Sequence, residues 1–241
     1  GKDPTDISNI NIEMERKLKG HPYVKSPIDM ACWDIIGKHF KMPVWKLLGG
    51  KFGEHIHLYR AISQENPEIM KQKVIEYKKE GYSKFQLKVG GIYQEDIERI
   101  KSVSSTLDNT NVLIADANTG WKNHEAFKVI KQVENLDVYI EQPCETYRDC
   151  VEVRKKTSNP FILDESIDSL NNFLQAYDDG AMDIINLKIS KLGGIHKSKL
   201  IRDLCVELKI PMTIEDSWGG DIATAAISHL AHSTPENLRF S

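Results

Sequence analysis

Ionisable residues stand at the ends of successive short apolar runs, and that periodic arrangement constrains the fold most. β-type runs lie at 57–61, 84–89, 112–116, 138–141, 161–164, 184–188, 212–215 and 238–241. Amphipathic, helix-like segments near 67–80, 93–107, 123–134, 148–157, 169–177, 194–208 and 221–233 separate them. Most runs end in a polar or charged residue, with Gly, Ser, Asn or Pro close behind. Strand–helix alternation without hairpin signals implies parallel strands joined by helical crossovers. Eight strands and seven helices predict an α/β chain of the (β/α)8 TIM-barrel type with its last unit truncated. The competing fold is a doubly wound open sheet. It usually carries a glycine-rich phosphate loop after its first strand, whereas here the first run leads into Arg60-Ala61-Ile62-Ser63-Gln64.

The first fifty or so residues contain no clear strand. Thr5-Asp6 can cap a helix through Ile7, Ile10, Met14 and Leu18 that stops at Gly20. A second helix is predicted after Ser26, with Pro27 in its first turn, where the missing N–H is harmless. A short helix over 44–48 ends at Gly49-Gly50. The expected division is a helical lead-in over 1–53 and a barrel domain over 54–241.

In a barrel of this type, chemistry sits at the C-terminal ends of the strands. Read in order, those ends are Lys88, Asp116, Glu141, Asp164, Lys188 and Glu215-Asp216, spaced by 28, 25, 23, 24 and 27 residues. Each interval is about one strand–helix unit, so closure would aim these side chains at one another. Any single carboxylate at such a place can be a helix cap. Three in register on successive strands repel unless neutralised. Oxygen-only ligands favour Mg²⁺, or Mn²⁺, over zinc. Asp116, Glu141 and Asp164 are therefore the expected metal ligands. Lys88 and Lys188 flank them, and a nearby cation with partial burial suits a lysine to general-base work. One lysine would take the proton α to a substrate carboxylate on one face and the other would act on the opposite face. A lysine that only pairs with the carboxylates is the simpler alternative, and Lys191 is expected in that role or on the loop.

Composition removes other classes. A net charge of -3 with pI near 6.3 gives no basic groove for nucleic acid and no basic surface for a membrane. Four cysteines without a C-x-x-C pair give neither a zinc knuckle nor a disulfide framework, and a cytoplasmic setting is expected. No run approaches about 18 consecutive apolar residues, the length of a membrane span.

The motifs also carry a resemblance. Ser26-Pro27-Ile28-Asp29-Met30-Ala31-Cys32-Trp33-Asp34, and Pro43 followed by Leu47-Leu48-Gly49-Gly50, resemble the helices that join cap to barrel in the mandelate racemase/muconate lactonising branch of the enolase superfamily. Phe85-Gln86-Leu87-Lys88-Val89-Gly90 resembles that family's second-strand K-x-K motif, with Gln86 in place of the first lysine. Asp116-Ala117-Asn118, Glu141-Gln142-Pro143 and Asp164-Glu165-Ser166 resemble its metal-ligand motifs, and Asn186-Leu187-Lys188 through Gly194 its sixth-strand lysine motif. The resemblance implies Lys88 and Lys188 as acid/base residues, with Asn118 and Glu165 lying just behind the metal ligands. It also implies that 1–53 is a helical remnant of an N-terminal cap domain and 54–241 the barrel catalytic domain, with a small-molecule carboxylate substrate and a homo-oligomer.

Gln86 with Lys88, Glu141-Gln142-Pro143-Cys144 and Glu215-Asp216-Ser217-Trp218-Gly219-Gly220-Asp221 resemble more narrowly the proline-betaine and hydroxyproline-betaine epimerases and the cis-3-hydroxyproline dehydratases. Gln86 shares a strand face with Lys88 and could bond a substrate carboxylate. Trp218 could face a substrate cation, or simply pack. Asp216 and Asp221 could supply negative charge, and Asp221 could instead cap the following helix. An epimerase of an amino-acid derivative, such as a proline betaine, is the leading expectation. A dehydratase, a cycloisomerase or dipeptide epimerase, and a barrel that binds metal or ligand without turnover are the alternatives. Trp121 is read as packing, and His229 and His232 as helix-surface residues.

Overall fold

A computed structural model describes residues 1–217 and 219–241. The chain divides into two compact units. One comprises Gly1–Ile56, Asp168–Phe173 and Ile185–Ser241; the other comprises His57–Ile167 and Leu174–Ile184.

In the first unit, α1 (Ile7–Lys17), α2 (Pro22–His39) and α3 (Val44–Leu47) form the N-terminal helices. α2 starts at Pro22, earlier than the sequence suggests, and carries Pro27 inside it. Pro22 already supplies the preset φ of a first turn, and left-handed His21 turns the chain into it. Asp6 occupies the N-cap of α1 without a side-chain cap bond; Asp3 instead accepts from the backbone N–H of Thr5 at 2.8 Å.

The second unit contains β1 (Arg60–Ile62), α4 (Pro67–Lys79), β2 (Lys84–Lys88), α5 (Tyr93–Ser104), β3 (Val112–Asp116) and α6 (Asn123–Val133). It continues with β4 (Tyr139–Glu141), α7 (Tyr147–Arg154) and β5 (Phe161–Leu163), and α8 (Leu170–Asp178) follows. β1 to β5 pair in sequence order, every pair parallel. Local chemistry sets the helix starts. Asn66 accepts from Glu68 N at 3.0 Å ahead of Pro67, and Thr146 Oγ1 accepts from Asp149 N at 3.1 Å. The inner residues Phe85, Leu87, Leu113, Ile140, Phe161 and Val129 are fully buried or nearly so. Each such side chain contributes about 1.5–3 kcal/mol over exposure.

The remaining elements are β6 (Ile184–Lys188), α9 (Ile189–Leu192), α10 (Ile195–Leu208), β7 (Met212–Glu215) and α11 (Gly220–His232). β6 and β7 pair in parallel from Ile185 with Met212 to Lys188 with Glu215. The single helix expected near 194–208 is preceded by a separate one-turn helix, α9. Gly193 and Gly194 adopt φ of 95° and 124°, which breaks the helical path. Lys191 is therefore in α9 rather than on a loop, and it is buried.

The expected eighth strand over 238–241 is not a full strand. Pro235 leads into a 3-10 turn at Glu236–Leu238, and only the last residues run along β7. There Phe240 N donates to Met212 O at 2.8 Å and Ile214 N donates to Ser241 O at 3.0 Å.

The four cysteines are free and buried, and burial pushes the thiols of Cys144, Cys150 and Cys205 up to about 12. No helix among the described residues is long and apolar enough to cross a membrane.

Asp29 of α2 is fully buried and accepts from Asn11 Nδ2 at 2.8 Å and His196 N at 3.1 Å. Burial raises its carboxyl above the ordinary 3.8, against the pull of the bonds from Asn11 and His196. The folded chain thus holds this proton more tightly than the unfolded chain. Its contribution to stability is present below 3.8 and is lost as pH rises through the raised value. Urea unfolding of wild type and Asp29→Asn between about pH 4 and 7 should show wild type losing ground relative to the variant as pH rises. A difference that stays constant with pH would contradict this.

Candidate active site

Side chains on a strand alternate between faces. In β2, Phe85 and Leu87 point one way, so Lys84, Gln86 and Lys88 point the other. The parallel register sets Lys88 opposite Asp116 and Asp116 opposite Glu141. Glu141 stands opposite Ile162, so Asp164, two residues on, shares its face. Four neighbouring strand ends therefore present one lysine and three carboxylates on the same side of the second unit. Asp116, Glu141 and Asp164 are 0%, 1% and 1% exposed, whereas the Lys88 side chain is 34% exposed.

The partners are specific. Lys88 Nζ pairs with Asp116 Oδ2, and the Asn118 backbone N–H donates to Asp116 Oδ1 at 2.8 Å. Gln86, expected to meet a substrate carboxylate, is buried and donates from Nε2 to Glu141 Oε2 at 2.9 Å. Asn118 and Glu165 touch each other, Nδ2 to Oε1, at 3.3 Å.

Gln142 has no role in the sequence reading beyond its place in the Glu-Gln-Pro motif, yet it organises the next two loops. Its Nε2 donates to Ser166 Oγ at 2.8 Å and Cys144 O at 3.2 Å, and its Oε1 accepts from Asp164 N at 3.0 Å and Ser166 N at 3.2 Å. The left-handed backbone at Gln142, φ 32°, is the local cost of turning that amide inward. A motif match gives its identity; only the folded loops give its partners.

The carboxylates here act on one another. Burial raises the Asp116 carboxyl, Lys88 and the Asn118 N–H pull it back, and Asp164 pushes it further up. Glu165 is exposed as a residue, yet burial of its carboxyl raises it first, and Asp164 and Asp116 add to the rise. Among the described residues, no three His, Cys, Asp or Glu side chains already converge as a metal cage. The donor chemistry still suits a hard divalent cation. Three buried carboxylates on one face offer oxygen-only donors, and a bound cation would relieve their mutual repulsion.

The first unit holds the other predicted residues. Lys188 and Glu215 are register partners at the ends of β6 and β7, with Nζ and Oε1 3.6 Å apart. Asp216 holds backbone: Oδ2 accepts from Ser190 N and Oδ1 from Ser217 N, both at 2.9 Å. Asp221 is exposed in the first turn of α11. Trp218 lies outside the described residues. His229 is half-buried and accepts from Trp45 N through Nδ1 at 3.3 Å, so it is a packing residue rather than a free surface group.

Residues 70–240 match the "Enolase C-terminal domain-like" family model, and residues 1–49 match the "Mandelate racemase / muconate lactonizing enzyme, N-terminal domain" model. The chain belongs to the mandelate racemase/muconate lactonizing branch of the enolase superfamily. It is 57% identical over 241 residues to the cis-3-hydroxy-L-proline dehydratase of Roseibium aggregatum, covering 100% of this chain and 66% of the relative. It is 30% identical over 237 residues to the N-succinyl-L-Arg/Lys racemase of Bacillus cereus, covering 97% of this chain and 64% of that enzyme. A solved enolase-superfamily member from Roseovarius nubinhibens ISM, complexed with magnesium, superposes with a TM-score of 0.94 at 37% identity. That match covers 100% of this chain and 66% of that one. The chain thus spans 64–66% of the length of these curated relatives.

Proposed function

We propose that the chain removes the proton α to the carboxylate of a proline-type amino acid, and that its outcome is loss of water from a cis-3-hydroxyproline. The observation that carries this reading is the 57% identity, along the whole chain, to a dehydratase of that substrate. The residue chemistry supports it. In cis-3-hydroxy-L-proline the hydroxyl lies on the same ring face as the carboxylate, so the α-hydrogen and the hydroxyl are on opposite faces. Lys88 and Lys188 are proposed as the two groups required, one taking the α-proton and the other giving a proton to the departing hydroxyl. The C–H electron pair becomes the new C=C bond as the C–O bond breaks. Water leaves, and the enamine acid tautomerises to a cyclic imine.

Asp116, Glu141 and Asp164 are proposed to hold Mg²⁺, or Mn²⁺, which would stabilise the negative charge that builds on the substrate carboxylate. Gln86, by its bond to Glu141, is proposed to orient that ligand. Asn118 and Glu165 would support the same loops from behind. Asp216 and Asp221 remain proposed only as a source of negative charge near the substrate, and Asp216 already carries a structural load.

Epimerisation is the second reading, favoured by the 30% identity to a racemase. It uses the same first step, and the second lysine then returns a proton to the α-carbon from the opposite face. The test is to supply the full chain with Mg²⁺ and cis-3-hydroxy-L-proline and to trap the imine with o-aminobenzaldehyde. A coloured adduct from the cis isomer, and none from the trans isomer, is expected. Conversion to the other α-stereoisomer with no imine would transfer the proposal to the epimerase. No change in any proline-type substrate would end both readings.

A further inference from the structure

We infer that Asp96, in the first turn of α5, is a positioning residue that sets where Lys88 and Asp116 stand. The inference rests on the proposed acid/base role of Lys88. Asp96 is fully buried, and its carboxylate gathers donors from three loops. Oδ2 accepts from Gly90 N at 3.0 Å and Gly91 N at 2.9 Å, two and three residues past Lys88. The same oxygen accepts from Trp121 Nε1 at 2.8 Å, in the loop that follows Asp116. Oδ1 accepts from Arg99 Nη1 at 2.7 Å and from Gln64 Nε2 at 3.4 Å, in the loop after β1. Arg99 extends the clamp, since its Nε donates to Glu65 O at 2.7 Å.

A helix cap alone would need one or two of its own helix's N–H groups. Asp96 gives its bonds instead to backbone and side chains of the loops after β1, β2 and β3, and to Arg99. Those loops are also pressed together. Val89 N donates to Asp116 O at 2.9 Å, and a Cβ added at Gly90 or Gly120 would collide with the carbonyl of Ala117 or Gly90 respectively. Backbone packed this closely has no room to drift while the carboxylate holds. Once the carboxylate is lost, the loops carrying Lys88 and Asp116 lose their shared anchor. Misplacement of a reacting group by about 1 Å can cost about a hundredfold in rate.

Asp96→Asn keeps the shape but turns an amide NH₂ toward one set of donors and removes the charge facing Arg99. The face of the substrate served by Lys88 is defined as the one whose α-proton exchange Lys88→Ala abolishes. On that face Asp96→Asn is expected to lower kcat for exchange about tenfold to a hundredfold, with KM nearly unchanged and a clearly smaller loss on the other face, where only the Asp116 loop is shared. Peptides covering 90–91 and 117–121 should exchange amide hydrogens faster, while those of α10 keep wild-type protection. Trp121→Phe, which removes a single donor and retains the ring, should show the same pattern more weakly and serves if Asp96→Asn does not fold. Equal loss on both faces, a change in KM alone, or unaltered loop protection in both variants would overturn the inference. If wild type exchanges no proton from any substrate, the reading of Lys88 fails, and the loop protection then decides by itself whether Asp96 is the anchor.

Discussion

Lys88→Ala is expected to slow α-proton exchange on one face of a proline-type substrate by about a hundredfold to ten-thousandfold, the usual contribution of a positioned general base. Any exchange on the opposite face, which the epimerase reading gives to Lys188, should survive. The same substitution removes the cation that pairs with buried Asp116. Leaving a buried carboxylate without its cation destabilises the fold, here by less than for a fully buried pair because the Lys88 end is partly open to solvent. With Lys88 gone, the Asp116 carboxyl, already raised by burial, should rise further. A raised carboxyl stabilises the fold only while protonated, so the variant should lose stability progressively as pH climbs through that value. Lys88→Arg separates the two effects. It keeps a positive charge against Asp116 but does not give up its proton at working pH. Stability near wild type with exchange still lost is the expected result. Full exchange in Lys88→Ala would remove Lys88 from the chemistry.

Asp164→Asn is expected to uncouple metal binding from stability. Asp164 is almost completely buried and raises both Asp116 and Glu165. Neutralising it relieves that repulsion, so both carboxyls should shift back toward their ordinary values in the variant. It also removes a proposed ligand. For wild type, Mg²⁺ at a hundred times its Kd adds about 2.7 kcal/mol, or about 5–10 °C for a chain of this size. Thermal melts with and without Mg²⁺ should show that rise in wild type and little or none in Asp164→Asn. An equal rise in both would exclude Asp164 as a ligand.

Much of this was legible in the sequence, because strand-end spacing and strand register express the same repeat. The runs at 112–116, 184–188 and 212–215 coincide with β3, β6 and β7, and Lys88, Asp116 and Glu141 fall on one row of register. Periodicity was weaker where backbone preference competed with it. Pro22 rather than Pro27 starts α2, and two left-handed glycines cut α9 from α10. Least legible were the residues whose meaning lies in distant partners. Gln86 reads as a substrate contact on strand alternation alone, yet its partner is Glu141, 55 residues away. Asp96 sits unremarked in a helical pattern, and its donors come from three separate loops.

The most direct measurement is proton NMR in D₂O of the full chain with Mg²⁺, using L-proline betaine and the cis and trans hydroxyprolines in turn. Loss of the α-proton signal from at least one of them in wild type, and its persistence in the Lys88→Ala, Lys188→Ala double variant, is the expected result. An α-proton signal that stays intact with every substrate in wild type, or that disappears equally fast in the double variant, would contradict proton transfer by these lysines.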